Sequence, residues 1–262
     1  MLPKAKKSFS QNFLVDPAAV LKIVTAAELS RGERVLEIGP GTGLLTRELL
    51  AAGARVTAVE ADRDLIPGLE ATFGRRLKLV FGDILKFGPA ELRTLGLREG
   101  NYKLVANLPY HITSAILQKF LTAGPRPSRL VLTVQKEVAD RLTAKPPQMS
   151  LLSVVGQVYA VCRRVAVIKA GAFRPVPKVD SAVVVLDLAA RELVADPEGV
   201  IALAKLGFAA RRKQLHHNLK AAGLGEREAL QESLCELGLS PLCRAENLTV
   251  TDWILLKRKL FS

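Results

Sequence analysis

Between residues 34 and 134, five short apolar runs alternate with amphipathic stretches, and few folds tolerate that rhythm. Unbroken apolar runs of this kind read as strands buried on both faces, whereas leucines spaced three and four apart read as helices. Strands are expected at 35–38, 55–59, 77–81, 103–107 and 129–134, with helices at 44–52, 62–73, 89–96 and 112–123. Such alternation means a parallel sheet covered by helices on both faces, joined by right-handed crossovers. Open parallel sheets bind ligands at the carboxyl ends of their strands. Four successive strand ends here carry residues suited to a ligand.

The first end reads Glu37-x-Gly39-x-Gly41-x-Gly43. Glycines let the chain turn sharply and let backbone N–H groups approach a ligand at a helix start. Dinucleotide folds space their glycines G-x-G-x-x-G. This chain has G-x-G-x-G with Pro40 inside, and an acid two residues ahead. Glu37 suits the ammonium group of a ligand with an amino-acid portion. Glu60 ends the second strand, where a carboxylate can accept hydrogen bonds from both ribose hydroxyls. Asp83 ends the third and can receive an adenine amino group. Together they describe a nucleoside ligand without phosphate, and S-adenosylmethionine fits better than a dinucleotide.

The fourth end is Asn107-Leu108-Pro109-Tyr110. Pro109 fixes its own φ, removes a donor and pushes Leu108 towards an extended backbone. The turn should be stiff and open to solvent, presenting the Asn107 amide, the Leu108 carbonyl and the Tyr110 ring. Those are the parts that grip a flat base carrying an amino group. Such a group is a poor nucleophile because its lone pair is delocalised into the ring. Neutral acceptors for its two N–H groups, the Asn107 oxygen and the Leu108 carbonyl, help the nitrogen become tetrahedral as it attacks. Tyr110 would stack on the base, contributing about 1–3 kcal/mol. Phe173, in "AFRPVP", is the expected plate for the opposite face.

Beyond residue 134, Pro146-Pro147 marks a loop, and 151–161 is a helix or strand that period does not separate. Strands are expected at 163–168 and 181–188, which brings the sheet to seven, with an extended stretch, "GAFRPVPKVDS", between them. From about 190 only amphipathic helices follow, near 197–209, 211–222, 226–238 and 248–260. The expected division is a catalytic domain over 1–189 and a small all-helical domain over 190–262. Residues 1–16 form a basic arm ahead of the Asp16-Pro17 helix start. The arm either packs Phe9 and Phe13 on the domain or closes as a lid, with Gln11 and Asn12 offering hydrogen bonds.

The charge balance says what surrounds the site. There are 38 Lys and Arg against 25 Asp and Glu, a net +13. Residues 1–187 hold 27 basic and 16 acidic side chains, and 188–262 hold 11 and 9, so the excess lies in the first part. An enzyme of small acids seldom needs this, whereas phosphate backbones and anionic membranes attract it. No run approaches the ~18 apolar residues of a membrane span, and no leader pattern opens the chain. A soluble cytoplasmic protein is expected. Cys162, Cys235 and Cys243 have no metal-ligand or disulfide spacing and read as reduced thiols. No metal is expected. Lys4, Lys6 and Lys7, and Arg211-Arg212-Lys213, are the densest basic clusters and the expected nucleic-acid contacts.

"SFSQNFLVD", "VLEIGPGTGLLT", "VEADRDL", "GDIL", "NLPY", "FRPVPKVDSAVV" and "FAARRKQLHHNL", in this order over nearly the whole chain, resemble the ribosomal RNA adenine dimethyltransferases of the KsgA type. The resemblance implies a class I S-adenosylmethionine-dependent methyltransferase fold, Rossmann-like, with a C-terminal helical domain. It implies a cofactor site lined by Asn12, Leu14, Gly39, Glu60, Asp83 and Asn107, with Gln11, Ala61 and Ile84 beside them. It implies transfer of four methyl groups, two to each of two adjacent adenines in a loop near the 3′ end of small-subunit rRNA. A pre-ribosomal particle is then the partner, no obligate protein partner is evident, and a monomer is expected. His216 and His217 depart from the family's usual residues and suggest a solvated or RNA-facing helix. Three rivals remain at this point: the large-subunit counterpart, a DNA or protein-amide methyltransferase, and a non-catalytic assembly factor on the same fold. Leu108 breaks the Asn/Asp-Pro-Pro-Tyr pattern of the second.

Overall fold

The computed structural model describes Pro3, Lys6 and residues 11–192 and 194–261. Its elements begin with a short strand β1 (Phe13–Leu14) and helix α1 (Pro17–Ala27). The alternation follows as β2 (Arg34–Ile38), α2 (Leu44–Ala51), β3 (Arg55–Glu60), α3 (Ile66–Phe73), β4 (Lys78–Phe81), α4 (Pro89–Thr94), β5 (Tyr102–Asn107), α5 (Thr113–Thr122) and β6 (Arg129–Gln135). Then come α6 (Lys136–Leu142), α7 (Leu151–Tyr159), β7 (Val161–Ile168), β8 (Phe173–Arg174) and β9 (Ser181–Asp187). Helices α8 (Pro197–Gly207), α9 (Leu215–Ala221), α10 (Arg227–Glu236) and α11 (Val250–Phe261) complete the chain.

Seven strands form one sheet in the order β4-β3-β2-β5-β6-β9-β7. All pairings among the first five are parallel, while β9 runs antiparallel to β6 and β7. The chain winds outward from β2 through β3 to β4, then returns to β5 on the other side of β2. That reversal opens a crevice at the carboxyl ends of β2 and β5. Register sets the site level: Glu37 pairs with Val105, Glu60 with Phe81 and Asn107 with Thr133. Two residues beyond the Glu37–Val105 pair lie Gly39 and Asn107, so the glycine turn and the polar turn emerge side by side.

The inner strands are buried along their apolar runs: Val35, Leu36, Leu104, Val105, Leu130 and Val131 have no exposed surface. Helix α1 turns Ala19, Val20, Ile23, Ala26 and Ala27 inward. Asp16 caps it by accepting the Ala18 N–H at 2.9 Å, with Pro17 in the first turn, as the Asp-Pro pair predicts. Strand β1 pairs with β8 as a separate two-stranded sheet, matching Leu14 with Phe173.

The chain divides into two compact units, the first made of residues up to Ala139 with Val161–Ala190, the second of Asp140–Ala160 with Arg191 onwards. Residues 140–160, expected with the first domain, thus group with the helices. The undecided stretch 151–161 is helix α7, capped by Ser150, whose hydroxyl accepts the Ser153 N–H while Ser153 returns the bond. Within the second unit α8 packs on α7, α9 and α11. Trp253 is fully buried, and a Cβ on Gly207 would stand 2.4 Å from its ring. Among the described residues no helix is long and apolar enough to cross a membrane.

Candidate active site

The four strand ends surround one cavity of about 560 Å³, a size that suits a nucleoside ligand. Every cofactor-contact residue expected from the sequence borders it except Gly43: Gln11, Asn12, Leu14, Glu37, Gly39, Gly41, Glu60, Ala61, Asp83, Ile84 and Asn107. Leu108, Tyr110 and Phe173 border it too. Gly43 supports the turn from behind. It caps α2 at φ +80°, and a Cβ there would meet the Phe73 ring at 2.5 Å.

Burial decides the state of the acids. Glu37 is 1% exposed; its Oε2 accepts the Thr46 hydroxyl at 2.7 Å, and its Oε1 has no partner among the described residues. Loss of hydration, reinforced by the nearby Glu60 charge and only partly offset by Thr46, pushes its pKa up to about 8. A buried, unpartnered carboxyl oxygen beside a cavity is a place made for a cation. Glu60 accepts the Gly41 N–H on Oε2 at 3.1 Å and the Asp62 N–H on Oε1 at 2.8 Å. Burial still raises its pKa despite those bonds. The carboxyl group has acceptor capacity beyond these bonds, which a ribose hydroxyl can use. Asp83 is exposed and spends one oxygen on the Leu85 N–H at 3.0 Å. The donor set therefore fits S-adenosylmethionine: a buried acid for the ammonium, a hydrogen-bonded acid for the ribose, and an exposed acid for the base.

The acceptor side is neutral. Asn107 ends β5 and donates Nδ2–H to the Asn12 carbonyl at 3.3 Å, which orients the amide and leaves Oδ1 as acceptor. The Leu108 N–H is held by the Thr133 carbonyl at 3.3 Å, and its side chain is buried. Tyr110 opens a short helical turn after Pro109, half-buried, with its hydroxyl 2.8 Å from Ser181 Oγ.

Several expectations are corrected by these placements. Phe173 is no open plate: it is 1% exposed in the core cluster that holds Phe13, Leu14 and Ala172, and it borders the cavity from inside that core. Pairing of β8 with β1 covers it. Lys6, expected to face RNA, instead pairs with Asp62 at 2.5 Å and Asp64 at 2.6 Å. Arg211, Arg212 and Lys213 are exposed but lie in a turn, not on a helix. Asn218 shapes that turn by donating to the carbonyls of Gly207 at 2.5 Å and Ala210 at 3.2 Å. His216 is not solvated: it is buried, with Nδ1 3.1 Å from the Pro241 carbonyl, while His217 is exposed. Lys4, Lys7 and Phe9 lie outside the described residues.

Asp62 was missed. It is 2% exposed, accepts from Lys6 Nζ, from Gln11 Nε2 at 2.9 Å and from the Asp64 N–H at 3.1 Å, and donates its own N–H to Glu60. Burial alone would raise its pKa, but Lys6 and Gln11 hold it below the ordinary value. One residue thus ties the arm to the ribose acid. The only signal in the sequence is its place two residues after Glu60.

The chain is similar to known proteins over nearly its whole length. The profile of the family described as "Ribosomal RNA adenine dimethylase" matches residues 2–260. A "Ribosomal RNA small subunit methyltransferase A" of Thermosynechococcus vestitus is 44% identical, covering 98% of this chain and 97% of the relative. Its counterpart from Syntrophotalea carbinolica is 44% identical over 95% of this chain and 94% of the relative. Among solved structures, the 23S rRNA methyltransferase ErmE superposes with a TM-score of 0.78 at 30% identity, covering 96% of this chain and 100% of that one. A dimethyladenosine transferase from Plasmodium falciparum gives 0.76 at 27% identity, covering 93% and 95%.

Proposed function

Because the chain belongs to the ribosomal RNA adenine dimethylase family, we propose that its target is small-subunit rRNA, at two adjacent adenines in a hairpin loop near the 3′ end. The methyl donor is S-adenosylmethionine, and the product is N6,N6-dimethyladenine. Identity of 44% to relatives named for the small subunit, against 30% to the 23S enzyme, favours this target over the large subunit. We place the substrate in a pre-ribosomal particle in the cytoplasm, methylated by a monomer.

The observation that carries the chemistry is the neutral turn at the level of the glycine turn. Asn107 Oδ1 and the Leu108 carbonyl accept the two N–H groups of the adenine, which biases the nitrogen towards attack. No base is needed before attack: the N–C bond would form as the donor's sulfonium S–C bond breaks, and the nitrogen, then cationic, loses its surplus proton to water. An aspartate at 107 would fix a charge beside a sulfonium, which Asn avoids. Glu37 and Glu60 hold the donor's ammonium and ribose, and Tyr110 supports the base. Extruding a base costs a few kcal/mol, least in a loop, and stacking of about 1–3 kcal/mol is of matching size. We assign Phe173 the role of inner wall. The exposed Arg211-Arg212-Lys213 turn supplies phosphate contacts.

Incubation with labelled S-adenosylmethionine and small subunits from a strain lacking the modification tests this. Label should map to two adjacent adenines near the 3′ end as dimethyladenine. Small subunits left unlabelled, while large subunits offered in a parallel reaction take up the label, would overturn the reading.

A further inference from the structure

The Tyr110 hydroxyl is tied to Ser181, and nothing in the chemistry above uses that bond. Ser181 opens β9 and has no exposed surface. Its backbone is paired on both sides, with Gln135 of β6 and Ile168 of β7, so its Oγ sits on an immobile part of the sheet. The preceding residue is fixed as well, since Asp180 accepts the Ala170 N–H at 3.0 Å and Lys169 Nζ at 2.9 Å, and its carbonyl accepts the Lys136 N–H at 3.0 Å. The Tyr110 backbone is held only locally, its carbonyl accepting the Thr113 N–H within the same turn. It follows Pro109 in a single helical turn and is only half-buried.

We propose that Ser181 is a positioning residue for the second methyl transfer, holding the Tyr110 ring at a fixed tilt through the 2.8 Å hydroxyl–hydroxyl bond. This rests on the reading of Tyr110 as the plate under the target adenine. The two transfers differ in what locates the nitrogen. In the first, two N–H groups meet two acceptors, Asn107 Oδ1 and the Leu108 carbonyl. After one methyl is attached a single N–H remains, so one acceptor loses its contact. Stacking on Tyr110 is then a larger share of what aligns the base. A ring free to tilt therefore harms the second transfer more than the first, and the monomethylated intermediate accumulates.

Two variants separate this from a general packing role. Ser181→Ala removes the anchor, and Tyr110→Phe keeps the plate but removes its end of the bond. Single-turnover reactions resolved by product should show the ratio of second to first transfer rate falling about three- to tenfold in each, the size of one hydrogen bond. The double variant should be no worse than either single one, and cofactor affinity should stay within about twofold, which also reports an intact fold. Unchanged ratios in both variants, or effects that multiply, would overturn the proposal. Tyr110→Ala distinguishes the two levels. If it abolishes turnover while Tyr110→Phe and Ser181→Ala match the wild type, only the positioning role falls. If it leaves turnover unaltered, the plate reading falls and the positioning role with it.

Discussion

The two halves of the cavity are built on opposite electrostatic plans. The donor half, at the ends of β2 and β3, uses buried carboxyl groups that the fold makes uncomfortable: Glu37 has an oxygen with no partner among the described residues, and both Glu37 and Glu60 have raised pKa values. The acceptor half, at the end of β5, carries no charge: an oriented amide, a backbone carbonyl and a phenol tied to Ser181. A half that must hold a cationic small molecule can keep a buried acid protonated and let it ionise when the ligand's cation arrives. A half that must let a neutral nitrogen attack a sulfonium is served by neutral acceptors, which bind the amino group without adding a charge that stabilises the reactant cation.

The contrast can be broken at several points. The largest effect is expected on the neutral side. Asn107→Ala should reduce transfer by about 10²–10³-fold, the usual loss for one transition-state hydrogen bond, with RNA affinity largely kept. Equal loss of both would show that Asn107 is structural. On the donor side Gly43→Ala should act through stability. Its φ of +80° and the 2.5 Å approach to Phe73 predict a loss of about 2–5 kcal/mol in urea unfolding. An unchanged midpoint would mean that α2 can shift to make room.

The acids give a pH test. Glu37 is held protonated in the fold at pH values where the unfolded chain has already ionised it. Its contribution is full below the ordinary carboxyl range and is lost as pH rises towards about 8. Stability of the ligand-free protein should therefore fall between pH 5 and 8, and Glu37→Gln should flatten that slope. Saturating cofactor should flatten it too, by giving the carboxylate its cation. The smallest effect is expected at the arm. Asp62→Asn keeps the cap on the Asp64 N–H but removes the charge that holds Lys6. Cofactor dissociation should quicken about two- to fivefold, as for an ion pair whose cation is partly open to solvent, and the difference should shrink at high salt. Equal rates at low salt would show that the arm stays closed without Lys6.

The same division separates what could be read in advance from what could not. Glu37, Gly39, Gly41, Glu60, Asp83 and the Asn107 turn were legible because each is local: a residue type at a strand end, with a level set by strand length. The place of Asn107 and Leu108 was legible as well, at the end of a strand that Pro109 closes. Phe173 was legible as a site residue but not as a buried one. Its exposure depends on β1 pairing with β8, a contact across about 160 residues that no local pattern contains. Lys6 failed for the same reason: charge in a sequence has no address until Asp62 and Asp64 are placed beside it.

Period and punctuation were thus enough for the class of fold, the seven strands, and the order in which ligand-binding groups appear along the sheet edge. Those follow from short-range sterics and from the burial of unbroken apolar runs, which act within a few residues. Tertiary structure alone decided protonation, orientation and cover. Glu37 is an acid with an orphaned oxygen because distant residues exclude water from it. Asn107 presents its oxygen because the Asn12 carbonyl, 95 positions away, takes its N–H. Desolvation and hydrogen-bond partnership are properties of a neighbourhood, and the neighbourhood exists only once the chain has closed.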